Sequence, residues 1–190
     1  MNVKAFSWAV RIVAVLLLTI STSALAQPPN SMKFRGVLND FTPANVSGPW
    51  EVRGHWSLLF RGASGKADFS AALTMVRSDI GALQNGGDLN NPANRNAHTH
   101  HITLVDGDVT PIANGFRVTG TATITANGNY PPPFGPSSTV QIDITGGNHI
   151  EFSNIAVTLG GDAAVHFGPH PLHGVVHVVR DKDNGDADRR

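Results

Sequence analysis

Trp50-Glu-Val-Arg-Gly-His-Trp-Ser-Leu-Leu-Phe-Arg61 is the stretch on which the fold turns. Trp50, Val52, Gly54, Trp56, Leu58 and Phe60 share one phase of a two-residue period, and Glu51, Arg53, His55, Ser57 and Arg61 share the other. Such alternation marks a half-buried strand, because successive side chains of a strand point to opposite faces. Gly62-Ala-Ser-Gly65 then reads as a turn. Ala67, Phe69, Ala71, Leu73 and Met75 carry the inward phase through a second strand, so the pair forms a hairpin with a four-residue loop.

The same period recurs downstream. A third strand runs from His98 to Val105, a turn follows at Asp106-Gly107-Asp108, and a short piece at 109–112 leads to a turn at Asn114-Gly115. Phe116, Val118, Gly120, Ala122 and Ile124 then alternate with Arg117 and four threonines. A stiff Pro-rich loop at 127–137 precedes the alternating Val140, Ile142 and Ile144, and Gly146-Gly147 turns the chain into a strand ending at Leu159. The last apolar stretch is Val175 to Val179. No segment holds a helical period free of Gly and Pro. About eight short strands joined by turns predict an all-β, single antiparallel domain over 47–179, preceded by an N-terminal extension at 27–46 and followed by a polar, frayed tail at 180–190. Closure removes exposed sheet edges, which favours a barrel narrowly over a sandwich. The polar stretch 84–97 is a long loop of the kind that is functional or mobile.

The first 26 residues read as an address. Lys4 and Arg11 precede the apolar run Ile12 to Ile20, and Ala24-Leu-Ala26 is a small-residue cleavage signal before Gln27. The run is too short for a stable membrane span. Export to a periplasm or the medium follows, and the absence of cysteine makes folding there independent of oxidation state. Removing residues 1–26 takes away Lys4 and Arg11 and no acid, which leaves a net charge of −2. There is no basic field or aromatic-interleaved basic stripe to hold nucleic acid. The lack of cysteine also excludes a thiol nucleophile and thiolate metal sites.

Chemistry is concentrated in the nine histidines, set against four lysines. His98-Thr-His100-His101 places His98 and His100 in phase with Ile102 and Leu104, on one face and two residues apart. Imidazole arms at that spacing can bring two ring nitrogens to one ion. His101 points to the opposite face. A second group, His166-Phe-Gly-Pro-His170-Pro-Leu-His173-Gly-Val-Val-His177, contains too much Gly and Pro for a long helix. His173 and His177 are too far apart on a strand to share an ion, but His166, His170 or His173 can meet the first pair across the sheet. His170 and His173 are favoured because the Pro171-Leu172 corner folds them together. The expected metal ligands are therefore His98, His100, His170 and His173, and zinc or copper suits imidazole best.

Other motifs dissolve on inspection. Gly62-Ala-Ser-Gly-Lys66 lacks the first glycine and final hydroxyl of a phosphate loop and joins two strands. The Asp-rich tail after Asp181 lacks a bidentate Glu for calcium. Glu51, Arg53 and His55 share a face, which the opposing Trp50, Val52 and Trp56 mark as the solvated one.

Gly168-Pro-His170-Pro-Leu-His173-Gly174 resembles the G-P-H…H-G stretch of copper–zinc superoxide dismutases, and His98-Thr-His100 resembles their H-x-H pair. The resemblance covers some twenty residues. This chain has no disulfide, no clear match for the family's zinc-binding Asp and a shorter spacing, so dismutase activity is not carried over. The strand pattern also resembles lipocalin-like and allene-oxide-cyclase-like exported barrels, without an identifying motif.

Three functional expectations result: a histidine-based divalent metal site, a barrel enclosing a small apolar ligand among Trp50, Trp56, Phe60, Phe69 and Phe116, or a structural module with a filled interior. The sequence sets no oligomeric state and no reaction. The address segment makes a direct prediction: the intact mass of exported protein should correspond to a chain starting at or near Gln27. A mass that retains residues 1–26 would refute cleavage.

Overall fold

The computed structural model describes residues 31–43, 49–77, 97–127, 132, 134–146 and 154–181. The first 30 residues, which include the stretch expected to be a cleaved address, lie outside the described residues, as do nearly all of the expected loop 84–97, the tail beyond Asp181, His149 and Glu151. Eight antiparallel strands close into a barrel in simple sequence order. They are β1 (Met32–Phe41), β2 (Trp50–Arg61), β3 (Lys66–Arg77), β4 (His98–Ile112), β5 (Gly115–Ala126), β6 (Ser137–Thr145), β7 (Asn154–Leu159) and β8 (Leu172–Asp181). A five-residue helix, α1 (Ala163–Phe167), sits between β7 and β8.

The two-residue period places the core. The inward phase of β2 pairs with that of β3, as in Trp56 opposite Ala71 and Leu58 opposite Phe69. Phe34, Leu38, Val52, Leu58, Leu73, Met75, Ile102, Ile124, Ile142 and Val157 are almost fully buried inside. An eight-stranded barrel has an interior just wide enough for side chains to fill. The aromatic residues expected to line a ligand cavity pack on one another instead: Trp56 stacks with Phe69 at 6.4 Å, and Phe60 with Phe116 at 5.8 Å.

Three details differ from the sequence reading. Residues 32–41, assigned to an N-terminal extension, form the strand that closes the barrel, pairing with β2 on one side and β8 on the other. Met32, Phe34 and Leu38 are its buried side chains. The turn expected at Asp106-Gly107-Asp108 is a bulge inside one long strand, with the register against β3 shifting between Ala67 and Phe69. The short piece at 109–112 is thus the end of β4. Third, α1 is a helix where none was expected, since five residues are too few to display a period. The total of eight strands stands because the gain of β1 offsets the merger within β4.

Two glycines permit the closure. A Cβ on Gly36 of β1 would lie 1.8 Å from the Val175 carbonyl oxygen, and one on Gly54 of β2 would lie 1.9 Å from that of Ala72. Both are contacts with backbone, which cannot step aside as a side-chain tip can. Gly36 adjoins the register shift between β1 and β8, where a bulge bends the strand. Gly54→Ala should therefore destabilise the barrel by about 1–3 kcal/mol, the usual range for overpacking. A urea melt followed by circular dichroism measures this, and an unchanged midpoint would show that the strand relaxes without cost.

Candidate metal site

The strand directions gather four connections at one mouth: β1 to β2, β3 to β4, β5 to β6, and the β7–β8 link that carries α1. The start of β4 lies at this mouth. Thr99, between the two histidines, is clamped there. Its carbonyl accepts from the Asn127 N–H at 2.8 Å, and its own N–H donates to Asn127 Oδ1 at 3.2 Å. His98 and His100 therefore leave a fixed piece of backbone on the inward phase, opposite Met75 and Leu73 of β3. His100 is 1% exposed and His98 is half-buried.

The third imidazole comes from α1. Ala163, His166 and Phe167 fall at i, i+3 and i+4, the spacing that puts side chains on one helix face. Ala163 and Phe167 are buried, while Val165 on the other side is exposed. The helix entry is tied down where Ser138 Oγ donates to the Gly160 carbonyl and the Gly160 N–H donates to Thr139. Its exit is closed by the Gly168 N–H donating to Ala164 at 2.9 Å. Thus anchored, His166 enters the mouth.

The Nε2 atom of His166 lies 3.1 Å from Nε2 of His98 and 3.1 Å from Nε2 of His100. One ligand nitrogen from each of the three rings lies within 4.8 Å of the others. Zinc–nitrogen bonds of 2.0–2.1 Å at tetrahedral angles separate ligand nitrogens by about 3.3 Å. The two sides that meet at His166, each 3.1 Å, are close to that size. The cluster is also poorly served by hydrogen bonding alone, since a ring nitrogen carries either one proton or one lone pair. His166 Nε2 therefore faces two neighbours with the capacity for one linear bond. A cation accepting three lone pairs satisfies all three.

The surroundings are aromatic. Trp50 meets His98 edge-on with centroids 4.8 Å apart, Phe134 stacks on His166 at 5.3 Å, and Phe167 meets His100 at 5.1 Å. Trp50 is itself held by reciprocal bonds of 2.9 Å with Thr42 across the β1–β2 connection. Burial, reinforced by the neighbouring imidazoles, pulls the pKa of His100 down to about 3. The same causes pull His166 down to about 4. Both rings are neutral at pH 7, the form that binds metal. Nδ1 of His100 is buried without a hydrogen bond of standard geometry. The Thr125 backbone contacts this ring and opposes the downward shift only in part.

The structure thus brings His98 and His100 together with His166. His170 and His173, preferred from the sequence as their partners, lie outside the cluster. Gly168, with φ 89° and ψ 159°, turns the chain out of the mouth directly after α1, so His170 is exposed. His173 is exposed on the outer phase of β8, where its N–H and Nδ1 approach Asp40 Oδ2 at 2.8 and 2.9 Å. The G-P-H…H-G stretch therefore contributes nothing to this cluster. His101, His55 and His177 are likewise exposed on the outer wall, and Arg53 there pairs with Glu51.

Fold and site together define an up-and-down β-barrel with a three-histidine cluster, compatible with a metal ion, at one mouth. No family model, curated protein or solved structure matches the chain.

The lowered pKa values fix a sign. Between the folded values and the ordinary 6.5, the unfolded chain binds more protons at His100 and His166 than the folded chain does. Stability must then rise with pH across that window and fall as pH drops from about 6.5 towards 4. In metal-free protein the urea midpoint should be lower at pH 5 than at pH 7. The double variant His100→Phe, His166→Phe should show a smaller difference. An equal pH dependence in both proteins would mean that these rings are not buried neutral.

Proposed function

We propose that this is an exported β-barrel protein that binds a divalent transition metal, zinc or copper, through His98, His100 and His166. The observation that carries the reading is the convergence of three Nε2 atoms at 3.1 Å contacts inside an aromatic, partly water-excluded mouth. Burial keeps two of the rings deprotonated, so metal entry there displaces no proton at neutral pH. Neutral imidazole donors suit zinc and copper, and copper has the higher intrinsic affinity. Among the described residues no carboxylate joins the three ligands. Three protein ligands and one open position are the pattern of catalytic rather than structural zinc. A metal held this way lowers the pKa of a bound water to about 7 and supplies Lewis-acid chemistry. The barrel wall contributes orientation, because two ligands come from a hydrogen-bonded strand and one from a short helix anchored by Phe167.

Elemental analysis and calorimetric titration of tag-free protein test this. One zinc or copper ion should bind per chain. His166→Ala should weaken binding by at least about 100-fold, beyond the 10–100-fold typical of residues that merely support ligands. His100→Ala should do the same. His101→Ala, His170→Ala and His173→Ala should stay within about twofold of the parent, since they lie outside the cluster. Equal losses at all five positions, or no bound metal, would refute the site.

A further inference from the structure

Asn127 directly follows β5 and faces Thr99 one position beyond the His100–Ala126 pair of the β4–β5 ladder. Its backbone N–H donates to the Thr99 carbonyl at 2.8 Å, as a continuing ladder requires. Its φ of 47° lies in the left-handed region, which asparagine tolerates better than most residues. There the chain leaves the sheet. The Thr99 N–H is met instead by the side-chain Oδ1 of Asn127 at 3.2 Å. A carboxamide thus stands in for the backbone carbonyl that a longer strand would have offered.

Thr99 is the residue between two of the three histidines. On the β3 side of β4 the ladder reaches the first residue of the strand, with Met75 opposite His98 and Thr74 opposite Thr99. On the β5 side the strand pairing ends at His100, and the two Asn127 bonds carry it one residue further. Without the carboxamide, the start of β4 can pivot on its β3 ladder, and His98 swings relative to His100. Productive geometry at such a site tolerates only about 0.5 Å or 10–20°. Asn127 also begins the β5–β6 connection, whose far end is pinned where the Ile124 N–H donates to the Pro136 carbonyl at 2.7 Å. Phe134 belongs to that connection, stacked on His166 at 5.3 Å and 5.6 Å from the His100 ring.

Building on the metal reading above, we propose that Asn127 is the positioning residue of the site. Its carboxamide fixes Thr99 and so sets His98 against His100 before an ion arrives. It contributes affinity through the backbone between the ligands, because less of the chain is then left to be ordered on binding.

The experiment titrates zinc calorimetrically into the tag-free chain and records the visible spectrum of its cobalt(II) form. Asn127→Gly keeps the left-handed backbone and its N–H and removes the Oδ1 acceptor, whereas alanine would add backbone strain. In Asn127→Gly zinc affinity should fall about tenfold, the lower end of the effect of groups that orient metal ligands. The cobalt bands, which report coordination geometry, should broaden, and the Thr99 amide should exchange faster with solvent. Asn127→Asp retains Oδ1 as an acceptor and should match the parent in all three measurements. Once His98→Ala has removed the ligand that swings, adding Asn127→Gly should cost little further affinity. Parent-like zinc affinity in Asn127→Gly would overturn the assignment and leave the metal site standing, even if the metal-free urea midpoint fell. A loss that recurs in Asn127→Asp, or persists in full beside His98→Ala, would do the same. A parent chain that binds neither zinc nor cobalt would overturn the metal reading itself, and this assignment with it.

Discussion

Closure between β1 and β8 is the constraint from which the rest follows. Once the first and last strands pair, every strand has two neighbours, and each side chain is committed to the inside or the outside. A slip of one residue would exchange the two faces. The commitment puts His98 and His100 in line with Ile102 and Leu104, and it puts His101 in water. It also puts Trp50 and Arg77 on the same side of the wall as the histidines. Gly36 and Gly54 make the closure sterically feasible, because a Cβ at either position would strike a neighbouring carbonyl.

Inside that wall, the histidine cluster is a local conflict. Buried polar groups normally find partners, and buried rings that crowd one another resist protonation. Here three ring nitrogens meet at a point where hydrogen bonding among themselves serves them incompletely. The conflict is held in place by Phe167, Phe134 and Trp50 rather than relieved by rotation of a ring. Unrelieved local conflict in an otherwise consistent fold is where function is expected. The outer face shows the contrast. Its charges pair locally, as in Arg117, whose guanidinium donates two bonds of 2.7 Å to the half-buried Asp143 carboxylate.

The fold was legible because strand periodicity is a local signal. Trp50 to Phe60 and Phe116 to Ile124 carry it without interruption, and the hairpin from β2 to β3 was readable from a single turn. What escaped was context-dependent. In β1 the alternation of Met32, Phe34 and Leu38 is broken by Gly36, the residue that closure requires to be small. At Asp106-Gly107-Asp108 the residue types of a turn serve a bulge, with Asp106 at φ 58°. Turn and bulge both need that backbone region, so composition alone does not separate them.

The site divides along the same line. His98 and His100 were legible because their relation is a spacing within one strand. Their relation to His166 spans sixty-eight and sixty-six positions of sequence and depends on a helix too short to announce itself. A usable signal was present nonetheless: Ala163, His166 and Phe167 share a helical phase between Gly161 and Gly168. The Pro171 corner drew attention to His170 and His173 instead, yet a corner folds residues towards each other without deciding which way they face. Their outward position follows from the strand that comes next. Leu172 must be inside, so His173 must be outside. A metal bound at the three rings would join this late segment to β4, so ligation and tertiary closure of the mouth become one event. The free energy of binding would then appear mainly as resistance of α1 to detachment, while the eight-stranded wall stands on its own buried core.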